Sequence, residues 1–167
     1  MTKTQFVFTD KNLSEAKKIL AKYPDGREKS AVLPLLDMAQ RQNGGWVSNA
    51  IIEYVAEMIN QPYMRVYEVA SFYSMFYLKP VGKTHIQVCG TTPCWLNGAH
   101  DILTEVELQT GVKCGNTSQD GQFTVSEVEC LGACRNAPVV QINDDFYEDL
   151  DITKIRNIIK SRTNLGS

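Results

Sequence analysis

Four of the five cysteines in this 167-residue chain fall in two tight pairs. Cys89-Gly-Thr-Thr-Pro-Cys94 is a C-x4-C pair and Cys130-Leu-Gly-Ala-Cys134 a C-x3-C pair, with 35 residues between them. Thiols grouped this way can hold a metal ion, carry an inorganic cluster or form disulfides. Structural zinc sites commonly separate their two knuckles by about 12 to 20 residues. Here the separation is longer, one gap is wide, and no His joins in. A dinuclear iron–sulfur cluster suits the pattern better, because each of two irons takes one pair of thiolates. The spacing departs from the plant-type C-x4-C-x2-C pattern, so such a cluster would belong to another ferredoxin class. Zinc and disulfides stay open as alternatives on spacing alone. The small residues Gly90, Thr91, Gly132 and Ala133 are candidates for pointing backbone N–H groups at sulfur.

The elements that must position these thiols lie in the second half of the chain. Thr84 to Val88 alternates like a short strand and delivers Cys89. Ala99, Ile102, Leu103 and Val106 mark a helix that ends at Gly111, and Asp120-Gly121 precedes a strand over Gln122 to Val128. Val139 to Ile142, Asn143-Asp144-Asp145 and Phe146-Tyr147 predict a hairpin. Asp151 or Thr153 then caps a last helix carrying Ile152, Ile155, Ile158 and Ile159. The order β-α-β-β-β-α predicts a small sheet with flanking helices, and places both cysteine pairs in loops after strands.

The first half reads as helices and contains neither Cys nor His, so no metal site of its own is expected. Asn12-Leu13-Ser14-Glu15 has capping-box spacing ahead of Ala16, Ile19, Leu20 and Tyr23. Ala31, Val32, Leu35, Leu36 and Ala39 form a second stripe, ended by Gly44-Gly45. Ser48 caps a third helix through Ile51, Ile52, Val55, Met58 and Ile59, and a fourth is predicted from about Met64 to Leu78. The aromatic residues Phe72, Tyr73, Phe76 and Tyr77 on that fourth helix read as core rather than as a cofactor or partner surface. The boundary falls at Pro80-Val81-Gly82, giving a helical region over 1–80 and a sheet domain over 81–167.

A net charge of -2 lacks the basic excess that nucleic-acid-binding domains carry. No run approaches the 18 apolar residues of a membrane span. Acidic residues Asp10 and Glu15 and the lack of Arg before Arg27 disfavour a targeting peptide. A reducing cytoplasm or its equivalent is therefore expected, where cysteines hold metal or do redox work rather than form structural disulfides.

The order of residues adds a resemblance. Cys89-Gly90-Thr91-Thr92-Pro93-Cys94, Glu129-Cys130-Leu131-Gly132-Ala133-Cys134, Asn136-Ala137-Pro138 and Asp144-Asp145-Phe146-Tyr147 closely resemble the NuoE-type subunit of respiratory complex I. Upstream, Gln42-Asn43-Gly44-Gly45-Trp46 and Val66-Tyr67-Glu68-Val69-Ala70-Ser71-Phe72-Tyr73 look like that family's helical N-terminal region. The resemblance spans about residues 28 to 150. It implies an α/β fold, an N-terminal helical bundle followed by a thioredoxin-like β-sheet domain with flanking helices. It further implies one [2Fe–2S] cluster ligated by Cys89, Cys94, Cys130 and Cys134, which exchanges single electrons with the flavin of a partner subunit. FMN and NADH are then expected on that partner, the flavin-bearing NADH-binding subunit. The rest of the peripheral arm would hold the chain to the inner membrane without insertion, on the cytoplasmic side or its matrix equivalent. The same family serves NAD-linked hydrogenases and formate dehydrogenases. It also draws attention to Ala137–Pro138, where thioredoxin-like folds often carry a cis-proline, although the sequence leaves the isomer open.

Cys114, in Lys113-Cys114-Gly115, falls where the family pattern requires no ligand and reads as a bystander thiol. His85 and His100 read as packing or surface residues, since four cysteines already fill the sites. Trp95 is expected either to shield the cluster or to pack on the following helix, and Arg135 to be a solvated charge. Two rivals come from other classes. A zinc-stabilised adaptor would be colourless. A dithiol oxidoreductase would need a C-x-x-C pair at a helix start, which the sequence lacks. The sequence also shows no G-x-G-x-x-G turn for a dinucleotide, so the isolated chain is expected not to turn over NADH.

Overall fold

In the computed structural model, which describes residues 5–163, the first helix opens at Thr9 rather than at Asn12. Thr9 Oγ1 accepts a hydrogen bond from the Asn12 amide at 3.3 Å, so α1 spans Asp10–Leu20. The Asn12 side chain is engaged elsewhere, donating to Gln42 Oε1 at 2.8 Å. The same Gln42 oxygen accepts from the Thr9 amide at 3.0 Å, while Gln42 Nε2 donates to the Val7 carbonyl at 2.9 Å. A tertiary partner thus overrides the capping box that local spacing suggests.

A 3-10 turn at Glu28–Ala31 leads into α2 (Val32–Gln42). Ser48 caps α3 (Asn49–Met58) by accepting from the Ile51 amide, and Pro62 precedes α4 (Tyr63–Phe72). The buried stripes of these helices meet in one core around Leu35, Leu36, Ile51, Ile52, Val55 and Val66.

Helix α4 stops six residues short of Leu78. The cause is Gln40, a buried amide on α2 that donates to the Met75 carbonyl and accepts from the Tyr77 amide, both at 2.9 Å. The Tyr77 carbonyl then accepts from the Val47 amide at 2.7 Å. These bonds satisfy the backbone of the segment outside any helix. Of the four aromatic residues read as core, Phe76 is buried, whereas Phe72 is 80% exposed and Tyr73 is also exposed. Without another turn of helix, those two rings have no core face to join.

The described residues divide between Pro80 and Val81 into two compact units. The second is built on a five-stranded mixed sheet in the order β2-β3-β1-β4-β5. Strand β1 (Thr84–Cys89) runs parallel to β3 (Phe123–Val128) and antiparallel to β4 (Val140–Ile142), which pairs with β5 (Asp145–Tyr147). Edge strand β2 (Asn116–Thr117) and the short helix α5 (Thr92–Leu96) are additions to the order expected from the sequence. Helix α6 (Ala99–Thr110) packs on β1 and β3, with α7 (Ile152–Thr163) beside it. Asp151 caps α7, its carboxylate accepting from the Lys154 amide at 2.8 Å.

Ile86, Val125, Val140 and Ile142 from the sheet share a core with Ile102, Val106, Ile155 and Ile159. Gly82 sets the start of β1. A Cβ there would stand 2.7 Å from a backbone carbon of Phe123, and its amide donates to Thr124 Oγ1 at 2.7 Å. Among the described residues no helix is long and apolar enough to cross a membrane.

One charged pair ties the two helices of this unit together. Arg156 donates through both guanidinium arms to Glu105, at 2.7 and 3.2 Å, and Gln109 Nε2 adds a bond at 2.8 Å. The Glu105 side chain is only 7% exposed. Arg156 above all holds its carboxyl below the ordinary value of 4.5. Stability from this pair is fully present above the unfolded value and is lost as pH falls through the lower folded value. Glu105→Gln should therefore lower the thermal midpoint by a few degrees at neutral pH. The gap between wild type and variant should stay level down to about pH 4.5 and close below it. Thermal melts from pH 3 to 8 check this, and a gap that persists at pH 3 refutes the assignment.

Candidate metal centre

Parallel strands end side by side, and this property gathers the thiols. Cys89 is the last residue of β1 and pairs with Val128, the last residue of β3. Cys130 lies two residues further on, so a long separation in sequence becomes adjacency at one edge of the sheet. Cys94 sits in α5, not in the loop expected from the sequence, and Cys134 opens a 3-10 turn at Cys134–Asn136. Pro93 at the start of α5 explains the difference, since its fixed φ suits a first helical turn. Five residues are too few for a hydrophobic period to announce a helix.

The Cys130 and Cys134 sulfurs are 3.3 Å apart. Gly132, at φ +85°, supplies the left-handed residue that folds their loop back on itself. Cys89 and Cys94 are hydrogen-bonded neighbours in the other pair. The Thr91 hydroxyl stands 3.2 Å from Cys89 and also reaches Cys130, tying one pair to the other. The inner thiols, Cys89 and Cys94, are each 1% exposed, whereas Cys130 and Cys134 are open to solvent.

Backbone donors surround the sulfurs. Gly132 N donates to Cys130 Sγ at 3.4 Å, and the amides of Leu131 and Thr91 serve Cys89. The Val139 amide serves Cys94. Gly90, a candidate donor from the sequence, spends its amide on the Val128 carbonyl at 3.0 Å. Leu131 and Val139 take part instead, and nothing in their apolar side chains signals a backbone role. The Ala137–Pro138 peptide just before Val139 is cis.

The two pairs titrate in the same unequal way. Burial pushes the Cys89 thiol up, yet the Thr91 hydroxyl and the Leu131 and Thr91 amides outweigh it and leave Cys89 below its ordinary value. Burial, then the Cys89 neighbour, pushes Cys94 up to about 11. The Gly132 amide holds Cys130 low, and Cys130 in turn pushes Cys134 up. Each pair therefore ionises once with ease and a second time against its own charge.

A positively charged core held between the pairs removes that second penalty, which is how an iron–sulfur core fits this donor set of four thiols. Among the described residues no three His, Cys, Asp or Glu side chains form a cage for a single metal ion. The grouping in twos matches a core with two irons.

The remaining candidates lie apart from the thiols. Cys114 is half-buried in the loop after α6, and its amide donates to Glu107 Oε1 at 2.9 Å. Arg135 is exposed. Trp95 is 64% exposed, so it does not pack down on α6 as a core residue would, although it lines a cavity of about 160 Å³ with Cys89, His100 and Glu127. His100 is exposed at that cavity, while His85 is buried near the opposite end of β1.

Residues 16–163 match the family model of the thioredoxin-like [2Fe-2S] ferredoxin. The chain is 60% identical over 161 residues to the NuoE-type subunit of the NADH-quinone oxidoreductase of Rickettsia felis, covering 96% of each chain. It is 49% identical over 161 residues to the mitochondrial NADH dehydrogenase [ubiquinone] flavoprotein 2 of Dictyostelium discoideum, covering 96% of this chain and 65% of that one. Among solved structures, part of an NAD+-reducing [NiFe]-hydrogenase superposes with a TM-score of 0.68 at 20% identity. That match covers 78% of this chain, which spans 23% of the hydrogenase chain.

His85 gives a test of how the sheet is closed. Its Nε2 lies 2.8 Å from Ser126 Oγ, and burial pushes the imidazole down to about 4. The ring should stay neutral from pH 5 upward. A folded value below the ordinary 6.5 means that the unfolded chain gains protons first, so stability declines as pH falls from 6.5 toward 4. Proton NMR of the His85 ring checks this. A midpoint near 6.5 would show the ring to be open to water.

Proposed function

The chain belongs to the thioredoxin-like [2Fe–2S] ferredoxin family, and from that premise we propose that it is the electron-carrying, NuoE-type subunit of an NADH:quinone oxidoreductase. Cys89, Cys94, Cys130 and Cys134 hold the cluster in this reading. The observation that carries it is the convergence of two thiol pairs at the shared carboxyl ends of β1 and β3. The full-length likeness to NuoE-type relatives favours the quinone-linked complex over an NAD-linked hydrogenase or formate dehydrogenase as host.

When bound, such a cluster takes up and gives back one electron at a time. The chain's own residues do the rest. Cys89 and Cys94 anchor the inner side on regular structure, away from water. The amides of Thr91, Leu131, Gly132 and Val139 point partial positive charge at sulfur, which favours the added negative charge of the reduced state. The exposed pair, Cys130 and Cys134, forms the side open to electron exchange. Oxidising NADH releases a hydride, two electrons together, so a flavin must divide them. We assign that flavin and the nicotinamide site to a partner subunit, and the chain's place at the membrane to the complex that holds it.

Purified protein should be reddish-brown and contain about two irons and two sulfides per chain. Cys89→Ala, Cys94→Ala, Cys130→Ala and Cys134→Ala should each lose the colour and the acid-labile sulfide, while Cys114→Ser keeps both. Stoichiometric zinc without sulfide would overturn the cluster reading. Ferricyanide reduction by NADH should require the flavin-bearing partner, and turnover by the pure, flavin-free chain would overturn the carrier role.

A further inference from the structure

The two thiol pairs differ in a way that electron carriage does not require. Cys89 ends a central strand and Cys94 lies in a helix, both 1% exposed. Cys130 lies in an irregular segment, Cys134 begins a single 3-10 turn, and both are open to solvent. Their sulfurs are already 3.3 Å apart, and a disulfide needs about 2.0 Å. Gly132 lies midway between them with φ +85°, so the loop is already turned back on itself. Only the short run from Glu129 to Ala133, which belongs to no helix or strand, has to adjust.

We propose that in the metal-free chain Cys130 and Cys134 form a reversible disulfide with a small-molecule disulfide such as oxidised glutathione, and that this bond closes the outer half of the metal centre to loading. The second part rests on the four-thiol cluster reading above, and the first does not. The exchange proceeds in two steps. The Cys130 sulfur attacks one glutathione sulfur, forming a mixed disulfide and releasing one glutathione thiolate. The Cys134 sulfur then attacks the Cys130 sulfur, forms the intramolecular bond and releases the second glutathione. The pair loses two electrons and two protons, and one glutathione disulfide becomes two glutathiones. A dithiol reductant runs the sequence backwards.

The neighbouring thiols define what would count against this. Cys89 stands near Cys130 across the site, and its burial denies a bulky oxidant the first attack. Cys114 is placed in the separate loop after α6.

The test uses the full chain, stripped of metal with a chelator under dithiothreitol, desalted, and checked for native circular dichroism. Oxidised glutathione should then lower the intact mass by ~2 Da, with the bond mapping by peptide analysis to Cys130 and Cys134. Cys134→Ser should instead retain one glutathione on Cys130. An unchanged mass, a stable adduct on the wild-type chain, or a bond involving Cys89, Cys94 or Cys114 would overturn the pairing. In a second arm, ferrous iron and sulfide are added to the reduced and the oxidised chains. The reduced chain should gain visible absorbance, and the oxidised chain should gain it only after dithiothreitol. Equal loading of both would overturn the closure. If the reduced chain also fails to load, the cluster reading falls while a mapped disulfide still stands.

Discussion

The parallel pairing of β1 with β3 is the contact on which the rest of the chain's chemistry depends. Its register runs from Thr84 opposite Phe123 to Cys89 opposite Val128. Because side chains alternate along a strand, a slip of one residue would turn Cys89 to the opposite face and separate it from Cys94 and Cys130. Both ends of the register are guarded. At the start, Gly82 fits against the Phe123 backbone where no larger residue has room. At the finish, the Gly90 amide bonds to the Val128 carbonyl, and the Cys89 amide to the Val139 carbonyl at 3.1 Å. Helix α6 then covers β1 and β3 with Ile102 and Val106, so slipping would also expose the core.

Convergence brings an electrostatic problem that the backbone partly answers. Four thiols at one edge repel as they ionise, and burial makes this worse for Cys89 and Cys94. Amide N–H groups supply the counter-field without adding a charged side chain. Fixed dipoles of this kind need no reorganisation when the charge on sulfur changes, which suits a site whose charge alternates. Their positions follow from the fold: Leu131 and Gly132 lie in the turn after β3, and Val139 directly precedes β4.

Much of this was legible in the sequence because it is written in local signals. The alternation from Thr84 to Val88 announced β1, and Asn143 holds the turn between β4 and β5 at φ +55°, a conformation Asn accepts more readily than most residues. The C-x4-C and C-x3-C spacings pointed to thiols acting in pairs. What escaped was settled by distant partners. Gln40 and Gln42, unremarkable polar residues on α2, end α4 early and move the start of α1. The exposure of Phe72 follows from the first of these, since aromatics at helical spacing form a core stripe only while the helix continues. Helix α5 and strand β2 are too short to carry a period at all. The sulfur donors Leu131 and Val139 act through main-chain atoms, so their residue types hold no clue.

The same division between regular and side-chain-held backbone explains why the metal centre has a stiff side and an adaptable one. The stretch from Cys130 to Ala137 is fastened at its ends. Before it lies the β1–β3 ladder. Behind it the Asp149 amide donates to the Asn136 carbonyl at 2.7 Å, and the Asn136 side chain donates to Asp149 Oδ2 at 3.0 Å. The Leu150 amide adds a bond to the Pro138 carbonyl at 3.3 Å. Between these anchors, Leu131 to Ala133 make no ladder bonds and turn on a glycine. Cys89 and Cys94 have no such latitude, because moving either sulfur means moving a central strand or the helix packed against it. A site built this way offers a fixed inner pair to whatever it holds, and an outer pair that closes on it by bending a few residues of loop rather than by disturbing the sheet.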